Sequence, residues 1–148
     1  MTSDRKAQIG ARLKDFQAKE VERILSACTR CGKCFEVCPM TKYSKALGES
    51  ERPDGRQVVP GVLAVLRGEP GTPAALGWIA VCMRSGVCVP ACPDNVDPRM
   101  MMRLARMTAL GGRGKPKQIE VKEDPDYFDR IRAFARMQLN DDELKKWT

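Results

Sequence analysis

The sequence contains no histidine in its 148 residues. Zinc sites built on imidazole are therefore excluded, and so is any acid–base relay that depends on it. A paired nucleophile and base is also missing, as is a glycine-rich nucleotide cradle, so no catalytic residues are expected and any substrate or flavin chemistry falls to partners. No apolar run approaches the ~20 residues a membrane-spanning helix needs. The opening MTSDRKAQIGARLKDF is charged rather than signal-like, so the chain reads as cytoplasmic. Aromatic residues make up only 5% of the chain, while the hydrophobic fraction is 43%. That balance suits one small helical body whose interior is completed by something other than large rings.

Cysteine is present in quantity: seven residues, arranged in two related runs. The first is CTRCGKCFEVCP, residues 28–39, with the spacing CxxCxxCxxxCP. This spacing is the bacterial ferredoxin signature for an iron–sulfur cluster. Thiols two residues apart can wrap one small inorganic core, and Gly32 leaves room for close backbone approach and for amide donation to sulfide. Cys38 stands beyond a longer gap and precedes Pro39, and in two-cluster proteins this fourth thiol ligates the other cluster.

The second run, CMRSGVCVPACP at residues 82–93, repeats the pattern with Ser85 where a cysteine is expected. Crossed donation gives Cys28, Cys31, Cys34 and Cys92 to a first [4Fe-4S] cluster and leaves Cys38, Cys82 and Cys88 for a second. A serine hydroxyl is far less acidic than a thiol and does not readily supply an anionic donor. The second site is thus read either as a [3Fe-4S] cluster or as a [4Fe-4S] cluster with a non-cysteine fourth ligand: Ser85 as alkoxide, a water, or a group from a partner. Zinc would favour separated CxxC pairs or cysteine with histidine. Disulfides would suit a secreted chain with an even cysteine count.

The fold class expected is mainly α: an α-helical ferredoxin-like two-cluster domain over residues 1–112, then a basic linker and C-terminal helix over 113–148, read as a partner-docking element. Phe16, Val21, Ile24 and Leu25 recur at near-helical spacing and predict a packed helix entering the first motif. The segment GESERPDGRQ reads as a polar turn, and VVPGVLAVLRG as an apolar helix ending near Gly68. Thr72 with Pro73, and Asp97 with Pro98, mark two further helix starts, the second helix stopping at Gly111 and Gly112. Met100, Met101, Met102 and Met107 are read as core filling. Asp124 and Pro125 mark a last helix, with Phe128, Ile131, Phe134, Ala135 and Leu139 as an apolar stripe and Trp147 near the end. The stripe is read as packing on its own core or on another subunit, the basic, glycine-rich linker favouring the subunit.

The two cysteine motifs, about forty residues apart with helices around them, resemble the iron–sulfur C subunit of heterodisulfide reductases and its relatives in sulfur-oxidising bacteria. The resemblance spans roughly residues 15–110. It implies an electron relay between a flavin-bearing subunit and a subunit with cysteine-rich CCG motifs, inside a hetero-oligomer. That family holds two [4Fe-4S] clusters, a pattern from which Ser85 departs. The gapped second motif, with CVPACP followed by DNVDP, is also similar to the iron–sulfur subunit of succinate dehydrogenase and fumarate reductase, whose gapped site is a [3Fe-4S] cluster next to quinone. Those subunits add an N-terminal [2Fe-2S] domain that this chain is too short to contain.

The formal charge of +7 falls to about +3 if each of two clusters brings a net charge of roughly −2. From Pro98 to Ile119 the chain is basic with no acid, and Arg99, Arg103, Arg106, Arg113, Lys115 and Lys117 read as a solvated face, a surface for an acidic partner, or a nucleic-acid contact. No helix-turn-helix signature accompanies them, so the regulator reading is secondary and no nucleic acid is expected.

Overall fold

The computed structural model describes residues 3–48, 51–120 and 127–147. It is mainly helical, with no strand among the described residues. The elements are α1 (Ser3–Ala27), α2 (Lys33–Glu36), two 3-10 turns at Thr41–Tyr43 and Lys45–Leu47, α3 (Gly55–Arg67), α4 (Pro73–Val81), α5 (Pro98–Ala109), α6 (Tyr127–Gln138) and α7 (Asp141–Trp147).

Helices α3, α4 and α5 form the body, and each begins at a side-chain cap. The carboxylate of Asp54 accepts from Arg56 N at 2.8 Å, the Thr72 hydroxyl from Ala75 N at 3.2 Å, and the Asp97 carboxylate from Met100 N at 3.1 Å. A cap of this kind satisfies an amide that the first helical turn leaves unpaired, and is worth roughly 1 kcal/mol. Pro73 and Pro98 follow their caps directly, where a missing N–H costs nothing. Between these helices lie Val58, Val62, Leu63 and Leu66 of α3, Trp78 and Ile79 of α4, and Met101, Met102 and Leu104 of α5, all almost fully buried. Each such side chain contributes roughly 1.5–3 kcal/mol relative to exposure. Met101 and Met102 thus fill the core, as the sequence suggested, whereas Met100 and Met107 are only half-buried.

Two expectations need correction. Helix α3 starts at Gly55, inside the stretch read as a turn, because Asp54 caps it and the polar residues Arg56 and Gln57 occupy its first turn. Helix α1 is long, but it buries only Gln17, Val21 and Ile24. Phe16, expected to pack, is 50% exposed. The face that α1 buries runs through Gln17, Val21 and Ile24, and Phe16, about 100° round the helix from Gln17, lies off it.

The basic stretch after α5 folds back on the body. Gly111 enters a left-handed turn at φ 88°, and the amides of Gln118 and Ile119 return to the carbonyl of Ala109 at 2.7 and 3.1 Å. The Gln118 side chain accepts from Gly71 N and donates to Glu69 O, and Arg113 donates to Leu66 O and to the Thr108 hydroxyl. Helix α6 turns Arg130 and Ala133 inward and leaves Phe128 72% exposed. The predicted cap at Asp124 and Pro125 lies outside the described residues. No helix among the described residues is long and apolar enough to cross a membrane.

Candidate metal centre

Helix α1 delivers the first cysteine through its own last turn, where Cys28 N donates to Ile24 O at 3.0 Å. The loop then reverses through two left-handed residues, Arg30 at φ 63° and Gly32 at φ 81°. Gly32 starts α2, its carbonyl accepting from Phe35 N and Glu36 N, and α2 carries Cys34. Cys38 follows, its amide donating to Phe35 O at 3.1 Å. Arg52 clamps this turn by donating to the carbonyls of Phe35 and Glu36, its guanidinium 4.8 Å from the Phe35 ring centroid. On the other side Phe35 meets Trp78 edge-on, with centroids 5.1 Å apart.

The second loop copies the first in backbone detail. Helix α4 ends at Val81 and Cys82 is extended. Arg84 at φ 58° and Gly86 at φ 86° reproduce the two left-handed positions, and Cys92 N donates to Val89 O as Cys38 N does to Phe35 O. A left-handed arginine costs roughly 1–2 kcal/mol. Its recurrence at the same step of both loops means that both turns are driven into the same shape. Ser85 therefore occupies the place in its loop that Cys31 occupies in the first.

Electrostatic neighbourhoods sort the thiols. Burial first, then the nearby Asp94, Cys92 and Cys31, push the Cys28 thiol up. Burial raises Cys34 to about 12, with Cys28, Cys88 and Cys31 adding to it. Burial raises Cys82, with Cys38 adding, and lifts Cys88 to about 11, with Cys82 and Cys38 adding. Cys28 thus lies near Cys92 and Cys31, Cys38 near Cys82 and Cys88, and Cys34 near both Cys28 and Cys88. Backbone donors oppose the rise at matching positions, Arg30 at Cys28 and Arg84 at Cys82. Such amides favour the thiolate, the form that binds metal.

Among the described residues no group of three or more Cys, Asp or Glu is placed to hold a single metal ion. A cluster cage is several atoms across, so its thiolates stand around it and do not meet at a point. The donor set fits such a cage in its chemistry, being all sulfur, partly buried, and turned by two left-handed loops with amides toward the thiols.

Two residues that the sequence reading did not single out help hold the loops. The Asp94 carboxylate accepts from the Thr29 hydroxyl at 2.7 Å and from Thr29 N at 2.8 Å, joining the end of the second motif to the first loop. These bonds, the hydroxyl's first, keep its carboxyl below the usual range. Arg106 donates to Ala80 O at 2.8 Å and eases the rise at Cys82. A carboxylate directly after a Cys-Pro pair is the sequence feature by which the first could be found; Arg106 stood in a basic run with nothing to set it apart from its neighbours.

Raised thiols predict a pH dependence for the cluster-free chain. Cys34 and Cys88 hold their protons more tightly when folded than at the ordinary thiol value of 9.0. Their contribution to stability is then complete below about pH 9 and is lost as pH rises toward 11–12. Thermal unfolding of cluster-free chain followed by circular dichroism should show a melting temperature that falls across this window. Cluster-loaded protein should not show that fall, because ligand thiols are already deprotonated. A flat profile for the cluster-free chain would contradict the assigned burial.

Residues 20–62 match the family model described as the 4Fe-4S dicluster domain. The matched segment holds the first motif, the end of α1 and the first half of α3, while the second motif lies beyond it. No curated protein and no solved structure matches the chain. The fold is mainly helical, and the match over residues 20–62 supports an iron–sulfur protein that transfers electrons.

Proposed function

We propose that the chain is the electron-relay subunit of a larger oxidoreductase of the heterodisulfide reductase type, standing between a flavin-bearing subunit and a CCG-motif subunit. Cys28, Cys31, Cys34 and Cys92 would hold a [4Fe-4S] cluster. Cys38, Cys82 and Cys88 would hold a second cluster, a [3Fe-4S] cluster or a [4Fe-4S] cluster whose fourth ligand is not cysteine, with Ser85 at the open corner. Such clusters, when bound, accept and release single electrons. The observation that carries this reading is the closeness of Cys34 in the first motif to Cys88 in the second, and of Cys28 to Cys92. An electron relay needs its two redox groups side by side.

The chain's own residues set the terms of the relay. Cys34 is buried in the same core cluster as Phe35 and Trp78, which keeps water from that thiol, while Cys28, Cys31 and Cys92 are half-buried. The second set has one thiolate fewer and is faced by the cations of Arg106 and Arg84. Less negative charge at the ligands raises a reduction potential. Potentiometric EPR on the anaerobically loaded chain should therefore find the gapped site to be the higher-potential one. If the gapped site titrates below the four-thiolate site, this ordering is wrong.

A further inference from the structure

A cleft of about 290 Å3 opens between the second loop and the first turn of α5, lined by Arg84, Asp97, Arg99, Met100 and Arg103. Arg84 immediately precedes Ser85, and Arg99 reaches across to Gly86, where a Cβ would lie 3.7 Å from its Nη1. Three guanidiniums thus face one carboxylate. That carboxylate, Asp97, is already engaged as the cap of α5. Several arginines elsewhere spend their donors on carbonyls or carboxylates: Arg52 on Phe35, Arg106 on Ala80, Arg113 on Leu66, Arg67 on Glu69. The side chains of Arg84, Arg99 and Arg103 form no hydrogen bond or ion pair among the described residues.

Like charges gathered in a cleft repel one another, and each guanidinium carries a donor fork shaped for two oxygens of one anion. The first turn of α5 adds the positive end of its dipole. The volume sits at the small end of small-molecule sites, ~300 Å3 and upward, with Met100 as an apolar wall. We propose that this cleft binds a small oxyanion, a phosphate or a carboxylate, gripped by Arg99 and Arg103 with Arg84 closing the loop side. The consequence for the relay, which rests on the dicluster reading, is that the bound anion restores beside the second loop the negative charge that Ser85 omits. Anion binding itself does not depend on that reading.

Isothermal titration of inorganic phosphate, and separately of succinate, into the full chain with its iron in place tests the site. At least one of the two should bind saturably to a single site. Affinity should fall at least tenfold in Arg99→Gln/Arg103→Gln and in Arg84→Gln, recover in part in Arg99→Lys/Arg103→Lys, and hold in Arg5→Gln/Arg12→Gln on α1. Helical circular dichroism and iron content equal to the parent's separate lost binding from lost folding. No saturable binding of either anion, or equal weakening in the α1 variant, would overturn the proposal. Iron content reports separately on the relay: a chain that binds phosphate but never iron keeps the cleft and loses the redox assignment.

Discussion

Gly32→Ala is expected to lose most of its iron and to melt far below the parent chain. Two backbones cross at this residue. A Cβ on Gly32 would stand 2.6 Å from Arg56 N and 2.6 Å from Gly55 C, and one on Gly55 would stand 2.5 Å from Gly32 O. Neither contact is with a side chain that can swing away. Gly32 also holds φ 81°, where an alanine costs roughly 1–2 kcal/mol before any overlap. Overlap adds roughly 1–3 kcal/mol more, and a domain of this size has only about 5–15 kcal/mol in total. The strain can be relieved only by moving the first loop off α3, which moves Cys31 and Cys34 together. Gly10→Ala is the matched control: it sits on α1 with nothing within 4 Å of the new methyl, and helix propensity alone favours it by up to about 1 kcal/mol. Melting curves and iron content of the two variants should diverge in opposite directions. A Gly32→Ala chain with the parent's melting temperature and iron would refute the crossing as a determinant of the site.

Ser85→Cys should convert the second site to four thiolates. The loop needs no rebuilding, since Arg84 and Gly86 already hold the left-handed angles that Arg30 and Gly32 hold around Cys31. Exchanging oxygen for sulfur is nearly isosteric and supplies the acidic thiol the corner lacks. For the three-iron reading, bound iron rises by roughly one per chain and the isotropic EPR signal of the oxidised protein disappears. The potential of the second site should also fall, because a thiolate adds negative charge. Unchanged iron content together with an unchanged spectrum would mean that Ser85 does not face the cage.

Much of this arrangement was legible in the sequence because the residues responsible act locally. Thr72 and Asp97 cap α4 and α5 as written, and the Cys-Pro endings mark where each loop leaves its site. The start of α3 was hidden because a Gly-Arg-Gln opening looks like a turn until Asp54 is seen capping it. The Gly32–Gly55 crossing and the Thr29–Asp94 clasp were not legible, since each joins segments distant along the chain through contacts that no periodicity encodes. Phe16 shows the same limit from the other side: its spacing is near-helical, but the face that α1 buries runs through Gln17, Val21 and Ile24 and leaves it half exposed. The arginines of the cleft were visible as a basic run, but only the fold sets Arg84 opposite Arg99 and Arg103.

The central claim is that each cysteine motif gives its trailing thiol to the other motif's cage, and a pair of substitutions tests it most directly. EPR of the anaerobically loaded Cys92→Ala chain should lack the reduced-state signal of the four-thiolate cluster and keep that of the gapped site, although Cys92 belongs to the second motif; Cys38→Ala should do the reverse. Loss of the gapped site's signal in Cys92→Ala, with the four-thiolate cluster intact, would contradict the account.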